Sequence, residues 1–128
     1  MRPLSTTAKI LIVDDEPNIV VALEFLLAQR GFQTAVAHQG EEALRLFSSF
    51  APDLVVLDVM MPGMDGFEVA RQIRSNPQYP NTRIIFLTAR STDEDRLKGY
   101  ANGGDVYLPK PFDNEALLTT IKEVILYG

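Results

Sequence analysis

The tightest constraint in this chain is an alternation. Short β-branched runs and amphipathic stretches take turns five times along 128 residues. Ile10–Val13 is a continuous apolar run led by Lys9, the pattern of a strand covered on both faces. Pro17 then opens a helix, where its missing N–H costs nothing. Ile19, Leu23, Leu26 and Leu27 share one face, and Gly31 ends the helix. Phe32–Ala37 reads as the second strand and Glu41–Phe50 as the second helix, with Ala43, Leu46, Phe47 and Phe50 on one side. Leu54–Leu57 is the most apolar strand, and it ends on Asp58. A Met-Pro-Gly-Met-Asp-Gly loop (61–66) leads to a third helix, about Phe67–Arg74. After a Pro-containing loop at Asn76–Asn81, Ile84–Leu87 forms the fourth strand and ends on Thr88.

Ser91 and Glu94 fit a capping box for the fourth helix. That helix is polar, with Leu97, Tyr100 and Ala101 as its expected anchors, and Gly103 and Gly104 end it. Such a helix is either an interaction face or an ordinary solvated one. Val106–Leu108 is a short fifth strand, followed by Lys110-Pro111-Phe112. Asp113 caps a last helix bearing Leu117, Ile121, Val124 and Ile125. Five β–α units in series predict an α/β fold: a single doubly wound parallel sheet with helices on both faces. Right-handed crossovers favour the flavodoxin-like strand order 2-1-3-4-5. Residues 1–8 read as a flexible N-terminal segment and 9–128 as one domain.

Composition removes whole classes of function. The chain has no cysteine, so disulfide scaffolds, zinc–thiolate sites and cysteine nucleophiles are out. Its one histidine, His38, rules out multi-histidine metal sites and reads as a surface residue after the second strand. Twelve Lys+Arg against seventeen Asp+Glu give a net charge of −5 with no basic run, which disfavours direct nucleic-acid binding. No apolar run approaches the roughly 18 residues of a membrane span, and Met1–Lys9 lacks a signal peptide's apolar stretch. A cytoplasmic location is the expectation.

In an open α/β sheet, ligands bind beyond the C-terminal strand edges at the switch point in strand order. Here those edges carry Asp14-Asp15-Glu16, Asp58, Thr88 and Lys110. Taken alone, each is an ordinary loop or surface residue; their joint placement is what points to a site. In the 2-1-3-4-5 order Asp14, Asp15 and Asp58 face one another. Clustered carboxylates repel, and a hard divalent cation such as Mg²⁺ relieves that repulsion through oxygen ligands. Lys110 supplies a cation and Thr88 a hydroxyl toward a bound anion. A carboxylate nucleophile, a metal and a cation together describe phosphoryl transfer onto Asp.

The segments Ile10-Leu-Ile-Val-Asp-Asp-Glu-Pro17, Leu57-Asp-Val-Met-Met-Pro-Gly-Met-Asp-Gly66, Leu87-Thr-Ala89 and Tyr107-Leu-Pro-Lys-Pro-Phe112 occur in that order. In them the chain resembles the receiver domain of bacterial two-component response regulators, from Lys9 to about Leu126. The resemblance implies that Asp58 is the phosphoacceptor. It implies Mg²⁺ held by Asp15, Asp58 and the backbone carbonyl of Met60, with Asp14 acting through a metal-bound water. Thr88 and Lys110 would contact the phosphoryl group, and Tyr107 would be an aromatic switch that moves inward as Thr88 shifts. Pro111 would follow a cis peptide bond that positions Lys110. The implied partner is a sensor histidine kinase or histidine phosphotransfer protein, followed by a downstream effector. The implied response is a change in the surface of the fourth helix, fifth strand and fifth helix. Such a domain is not an enzyme in the usual sense, although it catalyses its own phosphorylation and dephosphorylation. Bulky Met60 and long Arg90 are expected to shield the acyl phosphate from water. In the subgroup attached to winged-helix DNA-binding domains, charged residues pair between subunits. The corresponding Val106, Ala116 and Thr120 cannot do so.

Three other readings compete. A Mg²⁺-dependent phosphatase of the haloacid-dehalogenase type needs a second acid two residues after its nucleophile, where this chain has Met60. A flavodoxin-like redox protein needs a hydroxyl-rich phosphate loop after the first strand, where three acids would repel FMN. A pseudo-receiver that binds partners without phosphorylation would be expected to lack part of the site, and none is missing.

Overall fold

A computed structural model describes residues 8–78 and 81–127. Residues 1–7 of the expected N-terminal segment, and Tyr79 and Pro80 of the expected 76–81 loop, lie outside the described residues. Ala8 is buried, and its carbonyl accepts the Gln33 N–H at 3.0 Å.

The strands are β1 (Lys9–Val13), β2 (Gln33–Ala37), β3 (Leu54–Leu57), β4 (Arg83–Thr88) and β5 (Val106–Pro109). The helices are α1 (Pro17–Gln29), α2 (Gly40–Phe50), α3 (Gly66–Arg74), α4 (Asp93–Ala101) and α5 (Asn114–Tyr127). All strand pairs are parallel and the order is β2-β1-β3-β4-β5, as the alternation predicts.

Strand parity sorts the core into two layers. Leu11, Val13, Val55, Leu57, Ile84 and Phe86 pack with Ala43 and Phe47 of α2 and with Phe67, Val69, Ala70 and Ile73 of α3. Ile10, Ile12, Leu54, Val56, Ile85 and Leu87 pack with Val20, Leu23 and Leu27 of α1 and with Leu117, Leu118, Ile121 and Val124 of α5. With both faces covered, β3 and the middle of β4 need no polar side chain, hence their unbroken apolar runs.

α4 departs from expectation twice. Its N-cap is Thr92 rather than Ser91: the Thr92 hydroxyl accepts the Asp95 N–H at 3.1 Å, and the Asp95 carboxylate closes the box. Both registers fit a capping pattern, and the structure uses the one that brings Asp95 to Arg90. The expected anchors also fail. Leu97 is 70% and Tyr100 48% exposed, and Ala101 is exposed too; the residues α4 buries are Asp95 and Gly99. The physical reason is the close approach of Tyr107, since a Cβ on Gly99 would lie 2.6 Å from that ring. The helix backbone therefore rests directly on β5 and has no apolar stripe to bury. Gly103, at φ +103°, carries the chain out of the helix.

Candidate functional site

The site grows out of register. Val13 of β1 pairs with Leu57 of β3, so the next residues, Asp14 and Asp58, stand side by side as both strands end. The Asp14 N–H donates to Ala37 O (3.1 Å) and the Asp58 N–H to Val13 O (2.9 Å), extending the ladder by one step. Thr88 pairs with Pro109, and Lys110 follows, its N–H donating to Thr88 O at 2.9 Å. The Lys110–Pro111 bond is cis, as the resemblance implied. The start of α3 packs directly on the backbone that follows β3, because Gly66 lacks the Cβ that would collide with the Asp58 carbonyl.

Asp14 and Asp58 are buried, at 2% and 3% exposure. The Lys110 ammonium donates to Asp14 Oδ2 at 2.8 Å, Glu16 Oε1 at 2.8 Å and Asp58 Oδ2 at 3.2 Å. Backbone N–H groups take the other oxygens: Glu16 N–H donates to Asp14 Oδ1 (2.9 Å) and Met60 N–H to Asp58 Oδ1 (3.2 Å). Burial pushes the Asp14 carboxyl above its ordinary range, against the opposing hydrogen bond from Lys110. Burial also opposes the charge on Lys110. The surrounding carboxylates of Asp14, Glu16 and Asp58 outweigh it and hold the ammonium well above its usual range.

Of the residues expected from the sequence, Asp14, Asp58 and Lys110 come together here. Asp15 is exposed on the rim, where it lines an open cleft of about 400 Å³ with Met60, Pro62, Asp65 and Arg90. Met60 is itself 55% exposed. The residue not singled out beforehand is Glu16. Its carboxylate, not that of Asp15, groups with Asp14 and Asp58, the three offering oxygens within 4.8 Å of one another. Glu16 immediately precedes α1, and the turn into that helix swings its side chain back over the strand edge.

Thr88 is fully buried, and its hydroxyl oxygen accepts the Arg90 N–H at 3.3 Å. Tyr107 is 2% exposed, its ring 5.6 Å from that of Phe86. Its hydroxyl donates to Arg90 O at 2.6 Å. Burial raises the phenol above its ordinary pKa, so it stays protonated and a donor. The Tyr107 ring therefore lies inward, against Phe86, in this structure.

The donor set is hard oxygen throughout. Three carboxylates meet one ammonium, two of them buried and that of Glu16 exposed, so the acids outnumber the cation. That arrangement suits a hard divalent cation.

The family model described as "Response regulator receiver domain" matches residues 10–122. The transcriptional regulatory protein AfsQ1 of Streptomyces coelicolor is 44% identical over 119 residues, covering 93% of this chain and 52% of that protein. The transcriptional regulatory protein TrcR of Mycobacterium tuberculosis is 38% identical over 117 residues, 91% of this chain and 45% of that protein. The chain thus spans about half the length of the curated relatives it matches. Among solved structures, the Vibrio cholerae chemotaxis protein CheY4 superposes with a TM-score of 0.88 at 36% identity, covering 93% of this chain and 99% of that one. The BeF₃-activated DrrB receiver domain superposes at 0.86 and 38% identity, covering 94% and 99%.

Proposed function

Since the chain belongs to the response regulator receiver domain family, we propose that Asp58 is its phosphoacceptor and that the phosphoryl donor is a phosphohistidine. The observation that carries this reading is the Lys110 ammonium, bonded at once to the buried carboxylates of Asp14 and Asp58 at the C-terminal sheet edge. Asp58 is the nucleophile because its carboxylate stands at the C-terminal end of the central strand and is held more loosely than that of Asp14: its bonds from the Met60 N–H and Lys110 are both 3.2 Å, against 2.9 and 2.8 Å for Asp14.

In the proposed transfer an Asp58 oxygen attacks phosphorus in line as the P–N bond of the phosphohistidine breaks. The imidazole leaves neutral, its other nitrogen carrying the proton. Lys110 turns from the carboxylates to a phosphoryl oxygen, and the Thr88 hydroxyl leaves the Arg90 N–H to donate to another. Asp58 itself is 3% exposed, which limits the approach of water to the mixed anhydride. Asp14, Asp15, Asp58 and the Met60 carbonyl would hold Mg²⁺, which when bound neutralises the acids and the phosphoryl oxygens. Asp15 and Met60, both at the cleft, are open to it from solvent.

The partner in this reading is a sensor histidine kinase or histidine phosphotransfer protein in the cytoplasm. The message leaves through the surface of α4, β5 and α5 toward an effector, without contact between this domain and nucleic acid. Among the described residues no helix is long and apolar enough to cross a membrane. Intact mass after incubation with Mg²⁺ and acetyl phosphate tests the proposal. The expected result is one phosphoryl adduct that needs Mg²⁺ and is lost in Asp58→Asn. An adduct that survives this substitution would place the acceptor elsewhere.

A further inference from the structure

Arg90, in the loop between β4 and α4, is bonded three ways. Its N–H donates to Thr88 Oγ1 (3.3 Å), and its carbonyl accepts the Tyr107 hydroxyl (2.6 Å). Its guanidinium reaches Asp95 Oδ1 from Nη2 at 2.7 Å and from Nε at 3.2 Å. A cap role alone does not account for Asp95. Its bond from the Thr92 N–H, to Oδ2, is long at 3.4 Å, while the guanidinium contact is short. Asp93 and Glu94 already place negative charge in the same first turn. The Asp95 side chain is 11% exposed and that of Arg90 42%, so the pair is buried on the carboxylate side and open to solvent on the other.

We propose that Asp95 is a positioning residue for the site: through Arg90 it sets where the Thr88 hydroxyl and the Tyr107 ring sit. Its carboxylate fixes the Arg90 side chain. The Arg90 backbone then presents its N–H to Thr88 and its carbonyl to Tyr107. A displacement of Thr88 toward a phosphoryl group gives up its bond from the Arg90 N–H, and the Arg90 backbone links that loss to the Tyr107 hydroxyl and to the ion pair with α4. The inference rests on the phosphoacceptor reading for its consequence, but the geometry it invokes exists without a phosphoryl group.

The test uses the full chain labelled with fluorotyrosine and followed by ¹⁹F NMR, the Tyr107 signal being assigned by its loss in Tyr107→Phe. Asp95→Asn keeps the side chain's shape and its capping oxygen while removing the charge. Asp95→Asn and Arg90→Ala should each shift the Tyr107 signal toward the position of a solvent-exposed ring, and the double variant should shift it no further. Thr92→Ala removes the N-cap without touching Arg90; it should lower the melting temperature and leave the signal in place. An unmoved signal in Asp95→Asn, an equal shift in Thr92→Ala, or additive shifts in the double variant would each overturn the proposal. Acetyl phosphate uptake by the unsubstituted chain is measured in parallel. No adduct there would sink the phosphoacceptor reading, while the Tyr107 signal still decides the role of Asp95.

Discussion

α3 and α4 are both nine residues long, yet they are attached to the molecule by opposite means. α3 buries Phe67, Val69, Ala70 and Ile73 in the core, and the Asp65 side chain caps it by accepting the Glu68 N–H at 3.0 Å. α4 contributes no residue to either core layer; it buries a carboxylate and a glycine. Its remaining ties are peripheral, among them Arg96 Nη1 donating to Tyr107 O (3.1 Å) and the Lys98 ammonium 4.9 Å from the Phe67 ring. Apolar burial is large, non-directional and lost only by exposing the face to water. Polar contacts are individually small and can be exchanged for water or for another partner. α4 is therefore the element that can shift at low cost, and α3 the element that holds the Asp58 loop while it does.

The largest expected effect lies on the α3 side. Ile73 is 1% exposed, and Ile73→Ala should lower unfolding stability by about 2–5 kcal/mol in urea titrations. A loss below about 1 kcal/mol would show that α3 is not the anchor. Next is Gly99→Ala. In most helices this change stabilises by about 1 kcal/mol. Here the new methyl meets the Tyr107 ring, and overpacking should give a net loss of about 1–3 kcal/mol. The sign should reverse in a Tyr107→Ala background, where the ring is gone, and the same titrations read both.

Acid unfolding sharpens the comparison further. Hydrogen bonds from Thr92, then from Arg90, hold the Asp95 carboxyl below its ordinary pKa of 3.8. A depressed folded-state value means the unfolded chain binds its proton first as the pH falls. The stabilisation is therefore complete above about pH 4 and is lost as the pH drops below it. Asp95→Asn should lower stability at pH 7 and remove this part of the acid slope; an unchanged slope would show that the ion pair contributes nothing. The smallest effect is expected at Leu97, 70% exposed, where Leu97→Ser should stay within about 0.5 kcal/mol. A larger loss would mean that α4 is anchored by its outer face after all.

The same contrast explains which elements are legible in the sequence. Strands were legible because β3 and the middle of β4 are buried on both faces, so burial wrote unbroken apolar runs into the chain. α1 and α5 were legible through Leu23 and Leu27 and through Leu117, Ile121 and Val124, since packing on a sheet leaves a stripe at helical spacing. α4 leaves no stripe: Leu97, Tyr100 and Ala101, the apolar residues that suggest anchors, are exposed. Ser91 and Thr92 both head a capping pattern, so the local sequence does not separate them, and the structure caps the helix with Thr92, one residue beyond the expected Ser91.

The sequence by itself determined the sheet, its strand order and the gathering of Asp14, Asp58 and Lys110. In that order β1 and β3 end side by side, so Asp14 and Asp58 must meet; Lys110 follows β5, beyond β4, and its long side chain spans the gap. Only the tertiary structure decided that Glu16 rather than Asp15 shares the lysine, that Tyr107 lies inward under Gly99, and that Asp95 reaches Arg90. Each of these depends on how a side chain leaves a turn or fits against a neighbouring element. Such matters are fixed by distances between parts of the chain far apart in sequence, which no local pattern records.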